Sequence, residues 1–149
     1  MTTYTEKVGN KLNDLLQKTY DAEKGYKKAA DNVKNIPLKN YFERKAQERY
    51  DFGHALKKEI KEFGTEVEKG DSFTSKAHRS WMDVKALFST DNEEAMLKEA
   101  INGEKAALEE YQDVLSETAL PPTTANLLIS QKNHINSGLN TIKGIEDLK

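Results

Sequence analysis

The amino-acid sequence predicts an all-α protein, a four-helix bundle occupying residues 1–149 as a single domain. Three observations carry the helical part of that expectation. Charged residues make up 32% of the 149-residue chain and hydrophobic ones 36%, with a mean hydropathy of −0.82. That balance suits helices with one apolar stripe and suits a deep central sheet poorly. Apolar residues recur with a period close to 3.6. Proline and glycine punctuate the chain sparsely, and the breaks they mark at Pro37, at Gly64 and Gly70, and at Pro121-Pro122 cut it into long segments.

The first helix is expected from about Thr5 to Val33, with Val8, Leu12, Leu15, Leu16, Tyr26, Ala29, Ala30 and Val33 on one side. Thr3-x-x-Glu6 has the spacing of a capping box at its start. The stretch from Asn32 to Pro37 reads as a tight break. The second helix follows from about Leu38 to Phe63, carrying Tyr41, Phe42, Phe52, Leu56, Ile60 and Phe63, and Gly64 ends it. A third opens at Asp91, with Glu94 three residues on, and its stripe is Leu97, Ile101, Ala107, Leu108, Tyr111, Val114 and Leu115. The fourth starts near Pro122 and carries Leu128, Ile135, Leu139, Ile142 and Ile145. Each spans about 25–29 residues, or roughly 40 Å.

Short loops at Pro37 and Pro121 make helix 1 antiparallel to helix 2 and helix 3 antiparallel to helix 4. The connection from Gly64 to Thr90 is too long for a hairpin and holds an amphipathic stretch of its own, Ala77, Trp81, Val84 and Phe88. A crossover helix around residues 73–89 is therefore expected between helices 2 and 3. The two halves also echo each other weakly, Ala22-Glu23-Lys24-Gly25 against Gly103-Glu104-Lys105-Ala106.

Composition excludes several functions. The 23 Lys+Arg nearly cancel the 25 Asp+Glu, leaving −2, so nothing electrostatic recruits nucleic acid or an anionic membrane. With no cysteine, disulfides and thiol catalysis are out of reach. Met1 to Val8 lacks an apolar signal core and no run is long enough for a membrane span, so a cytoplasmic protein is expected. No Ser-His-Asp set or phosphate loop is present, which weighs against an enzyme.

The informative residues are polar ones on apolar stripes. In helix 1 the series Leu12, Leu16, Thr19, Glu23, Tyr26, Ala30 puts Glu23 in the seam, and in helix 3 Leu97, Ile101, Glu104, Leu108, Tyr111 does the same for Glu104. Helix 2 presents Glu48 with Asp51 three residues on, and helix 4 presents Gln131 with His134 three residues on. Carboxylates inside a bundle are costly unless something positive compensates them. Four helices each offering an inward oxygen, two with an i, i+3 partner, have the pattern of a dinuclear metal site.

On these residues the chain resembles the ferritin-like superfamily, whose pattern is Glu, Glu-x-x-His, Glu, Glu-x-x-His. More narrowly it resembles a bacterial family of ferritin-like four-helix-bundle proteins carrying a domain of unknown function. The segments that carry this are Asp21 to Tyr26, Ala46-Gln47-Glu48-Arg49, Ala77 to Met82, Gly103-Glu104 and Leu120-Pro121-Pro122. The resemblance implies metal ligation by Glu23, Glu48, Asp51, Glu104, Gln131 and His134, with Asp51 and Gln131 departing from the superfamily's residue types. It implies Fe, Mn or Zn as the metal, and metal handling or stress response as the role.

Two functional classes stay open at this point. One is a metal-binding bundle. The other is a structural or interaction protein, with a homodimer through an exposed helix face as one form, that kept the bundle and lost the metal. Lys45 and Arg49, within a turn of Glu48, discriminate them, because a cation pointing at Glu48 and Glu104 would replace the metal. Were the four carboxylates to converge without either metal or cation, their pKa values would rise and the apo protein would lose stability as pH rises.

Overall fold

The structure is a computed structural model that describes residues 4–62, 64, 93–117, 119–144 and 147–148. Among these there are four helices and no strand: α1 Tyr4–Asn32, α2 Ile36–Glu62, α3 Glu93–Glu117 and α4 Pro122–Thr141. The expected crossover helix at residues 73–89, with Trp81 and His78, lies outside the described residues. So do Thr3, of the expected capping box, and Asp91, the expected start of the third helix.

Local chemistry explains the helix ends. The α1–α2 break is held from both sides: the Asn35 carboxamide oxygen accepts the Leu38 amide at 2.9 Å, an N-cap for α2. Glu93 accepts the amides of Lys34 at 2.6 Å and Asn35 at 3.1 Å. With Asn35 as cap, α2 begins at Ile36, two residues before the expected Leu38. Pro37 then sits in the first turn, where its missing N–H costs nothing. Gly64 ends α2 with φ of +76°, the left-handed conformation that glycine adopts freely.

The fourth helix is shorter than the sequence suggested, at 20 residues against 29 for α1. It stops because Ile142 turns extended, and the Lys143 and Gly144 amides bond the Asp147 carboxylate at 2.9 and 3.1 Å instead of continuing the helix. Ile142 still packs on the core from beyond the helix end.

Contacts between helices fix their directions. Along α1 and α3, Tyr4 reaches Ala119 at 2.6 Å, Lys18 reaches Glu110 at 3.0 Å, and Lys34 reaches Glu93. The numbers run oppositely, so α1 and α3 are antiparallel. Along α2 and α4, Glu59 accepts from Thr124 at 2.6 Å and the Phe52 carbonyl accepts from Gln131 at 3.3 Å, again antiparallel. Both hairpins are antiparallel too. It follows that Glu62 lies at the end of the bundle where α1 starts, while Glu93 lies at the opposite end.

The core divides into two apolar clusters. One gathers Tyr26, Leu38, Phe42 and Leu97 toward the α1–α2 turn; the other gathers Leu12, Leu16, Leu56, Leu128 and Ile135 toward the α3–α4 turn. Burying such side chains contributes about 1.5–3 kcal/mol apiece before chain entropy is subtracted.

Gly53 lies mid-helix in this lower cluster. A Cβ there would meet Leu16, Thr19 and Tyr20 side-chain atoms at 3.8 Å, ordinary van der Waals contact. Gly53→Ala is therefore expected to stabilise the fold by about 1 kcal/mol through helix propensity, raising the melting temperature by roughly 2–4 °C. A lower melting temperature would show that α2 packs more tightly on α1 than these distances allow.

Candidate functional site

Between the two apolar clusters lies a layer of charge. On α2 the stripe Phe42, Lys45, Arg49, Phe52, Leu56 steps by three and four, so two cations occupy seam positions among the aromatic and aliphatic ones. Arg49 is 2% exposed, and Glu104, facing it from α3, is 1% exposed.

The two are bonded directly, Arg49 Nη2 to Glu104 Oε2, with Nη1 at 3.4 Å from Glu104 Oε1. The same Nη1 donates to Glu48 Oε1 at 2.8 Å. Lys45 Nζ lies 3.1 Å from Glu104 Oε1 and 3.6 Å from Glu48 Oε1. Two positive and two negative groups thus form one closed, neutral network. Both oxygens of Glu104 are paired.

Aromatic rings wall this network in. The Arg49 guanidinium lies 5.9 Å from the Tyr26 ring centroid and 5.6 Å from that of Phe52, one from each apolar cluster, and Lys45 Nζ lies 5.9 Å from the Tyr41 ring. Burial alone would push the Glu104 carboxyl up, but Arg49 first and Lys45 second hold it below the usual carboxylate range. Burial likewise disfavours the Arg49 charge, and Glu104, Tyr26 and Glu48 more than offset it, so Arg49 stays protonated. Burial, then Glu104, pushes the Tyr41 hydroxyl far up and keeps it neutral.

The six residues singled out as metal ligands are distributed differently. Glu48 and Glu104 come together, around the shared cations. Glu23 is half-buried in the α1–α2 groove and pairs with Lys27 at 2.8 Å. Asp51 is exposed and accepts a hydrogen bond from Gln47 at 3.0 Å. Gln131 is buried, but its amide accepts from the Tyr111 hydroxyl at 2.6 Å and donates to the Phe52 carbonyl. His134 is exposed on α4, its ring 6.3 Å from that of Phe52. Among the described residues no group of three or more His, Asp or Glu side chains is placed to hold a metal ion.

Of the two arrangements the sequence left open, Glu48 and Glu104 adopt the one in which Lys45 and Arg49 point at them, and the Glu104 pKa moves down, opposite to the rise expected of carboxylates converging without metal or cation. Gly138 is one of the helix glycines that sequence alone reads as sites of close helix approach or oligomer contact. A Cβ there would lie 2.8 Å from Lys45 Nζ, so the bare α4 backbone makes room for the ammonium. Its sequence signal is weak, because several glycines lie within the helices.

The model of a family described as a domain of unknown function (DUF2383) matches residues 7–117. That span runs from α1 through α3 and contains all four members of the charged network. No curated protein matches the chain.

Proposed function

The chain belongs to the DUF2383 family, and from that premise we propose that it is a non-catalytic, ferritin-like structural or interaction bundle in which a buried ion-pair network stands in place of a dinuclear metal centre. The observation that carries this reading is the pairing of Glu104, whose two oxygens are taken by Arg49 and Lys45 and which, like Arg49, is almost wholly buried. With one Glu104 oxygen held by Lys45 and the other by Arg49, the charge a metal would need is already offset, and the ammonium and guanidinium would repel a divalent ion placed beside them. The other donors fit a metal pair no better, since Asp51 faces solvent and Gln131 is engaged with Tyr111 and Phe52.

The ferritin-like topology rests on the helix directions. All four neighbouring pairs are antiparallel, and Glu62 and Glu93 lie at opposite ends, as a bundle with one long connection between helices 2 and 3 requires. No described helix is long and apolar enough to cross a membrane.

Elemental analysis of protein purified without a histidine tag tests the reading, together with melting of chelated protein with and without Mn²⁺, Fe²⁺ or Zn²⁺. The expected outcome is sub-stoichiometric metal and an unchanged melting temperature. Metal near two ions per chain, or a rise of the kind produced by ligand binding to the folded state alone, would return the protein to the metal-binding class.

A further inference from the structure

The charged layer is not sealed on every side. Between α2 and α4 it opens into a groove of about 400 Å³, lined by Arg44, Lys45 and Glu48 from α2 and by His134, Ser137 and Gly138 from α4. That volume suits a small organic molecule rather than a bare ion.

Charge in this groove is unbalanced. Lys45, Arg49, Glu48 and Glu104 neutralise one another, but Arg44 stands exposed on the rim and makes no ion pair with any of the described residues. Among the described residues the groove therefore carries one uncompensated positive charge. The Lys45 ammonium has three N–H donors and two carboxylate partners, and it reaches the groove floor because Gly138 presents no Cβ there. Ser137 adds a hydroxyl, and Tyr41 and Ile142 add apolar surface beside these donors. Arg44 and Lys45 supply charge-assisted donors and Ser137 a hydroxyl able to donate, while the one lining carboxylate, Glu48, is engaged by Lys45 and Arg49; this is the chemistry of oxyanion recognition.

We propose that the α2–α4 groove is a binding site for a small organic oxyanion, its carboxylate or phosphate group held by Arg44 and Lys45 and its body lying against Tyr41 and Ile142. Such a site adds a ligand to the bundle described above, and its occupancy is read independently of metal content. Gly138 serves as the opening through which the buried network meets solvent.

Nuclear magnetic resonance titration of the full chain at constant ionic strength tests this, with inorganic phosphate, phenyl phosphate and benzoate as probes and benzylammonium and chloride as controls. Saturable shifts at the Gly138 amide and the His134 ring are expected from the oxyanions and not from the controls. A response to the phosphates alone identifies a phosphate headgroup, and one to benzoate alone a carboxylate. Arg44→Gln is expected to weaken binding about tenfold or more, as loss of a charge-assisted hydrogen bond does, while Arg44→Lys retains most of it. Gly138→Ala, which crowds Lys45 Nζ, is expected to weaken binding as well. Shifts that grow without saturating, that chloride reproduces, or that persist unchanged in both Arg44→Gln and Gly138→Ala would overturn the proposal.

Discussion

Arg49→Met is expected to be among the most damaging single substitutions in this protein, costing about 3–5 kcal/mol and lowering the melting temperature by roughly 6–20 °C. The reason is not the worth of the ion pair itself. Removing Arg49 leaves Glu104, 1% exposed, with Lys45 as its sole cation, and leaves Glu48 sharing that same ammonium. The local charge becomes net negative beside Tyr26 and Phe52, around a Glu104 carboxylate that is itself almost wholly buried. Glu104→Gln should be costly for the mirror reason, since it leaves Arg49 and Lys45 facing Glu48 alone.

The double variant Arg49→Met, Glu104→Gln restores neutrality, with Lys45 and Glu48 remaining as a pair. It is expected to be more stable than either single variant, so the cycle should show a coupling of more than about 1 kcal/mol. Chemical denaturation of the four proteins measures this. Strictly additive effects would mean that Arg49 and Glu104 act separately, and the network reading of the charged layer would fall.

Acid is expected to unfold the protein through the same residue. The folded-state pKa of Glu104 is lowered, because Arg49 and Lys45 outweigh burial, so the unfolded chain takes up this proton first as pH falls. Stability from Glu104 is then fully present above the ordinary glutamate pKa of about 4.3 and is lost as pH drops through the lower folded value. Melting temperature should be level from neutral pH to about pH 5 and fall steeply below about pH 4. Glu104→Gln should flatten that acid limb. The opposite trend, with stability rising as neutral protein is acidified toward pH 5, would indicate unneutralised carboxylates held together, the outcome expected for a convergent metal site stripped of metal.

Much of the fold was legible because it depends on quantities that sequence carries directly. The 3.6-residue period of Leu12, Leu16, Tyr26 and Ala30 in α1, or of Phe42, Phe52, Leu56 and Ile60 in α2, marks a face that must be covered, and all eight residues are buried. Pro37 and Pro121-Pro122 mark breaks because proline lacks a backbone donor. Helix length was less legible at the fourth segment. The apolar period continues through Ile142, but Asp147 captures two backbone amides there and ends the helix.

The candidate site was readable only as a short set of competing partners. Periodicity placed Glu104 in a seam and Glu48 near one, and it identified Lys45 and Arg49 as cations within a turn of Glu48. Periodicity alone cannot say which neighbour a long side chain will choose, since Glu23 turns to Lys27 and Asp51 to Gln47 through contacts one helical turn away. The sequence by itself determined that four apolar-striped helices must pack together and that some carboxylates would be drawn into the interior. Only the tertiary structure decided what neutralises them. Arg49 reaches Glu104 across 55 residues of chain, and Gly138 clears space for Lys45 from a different helix. A buried charge is governed by the nearest opposite charge in three dimensions, a distance that no one-dimensional spacing contains.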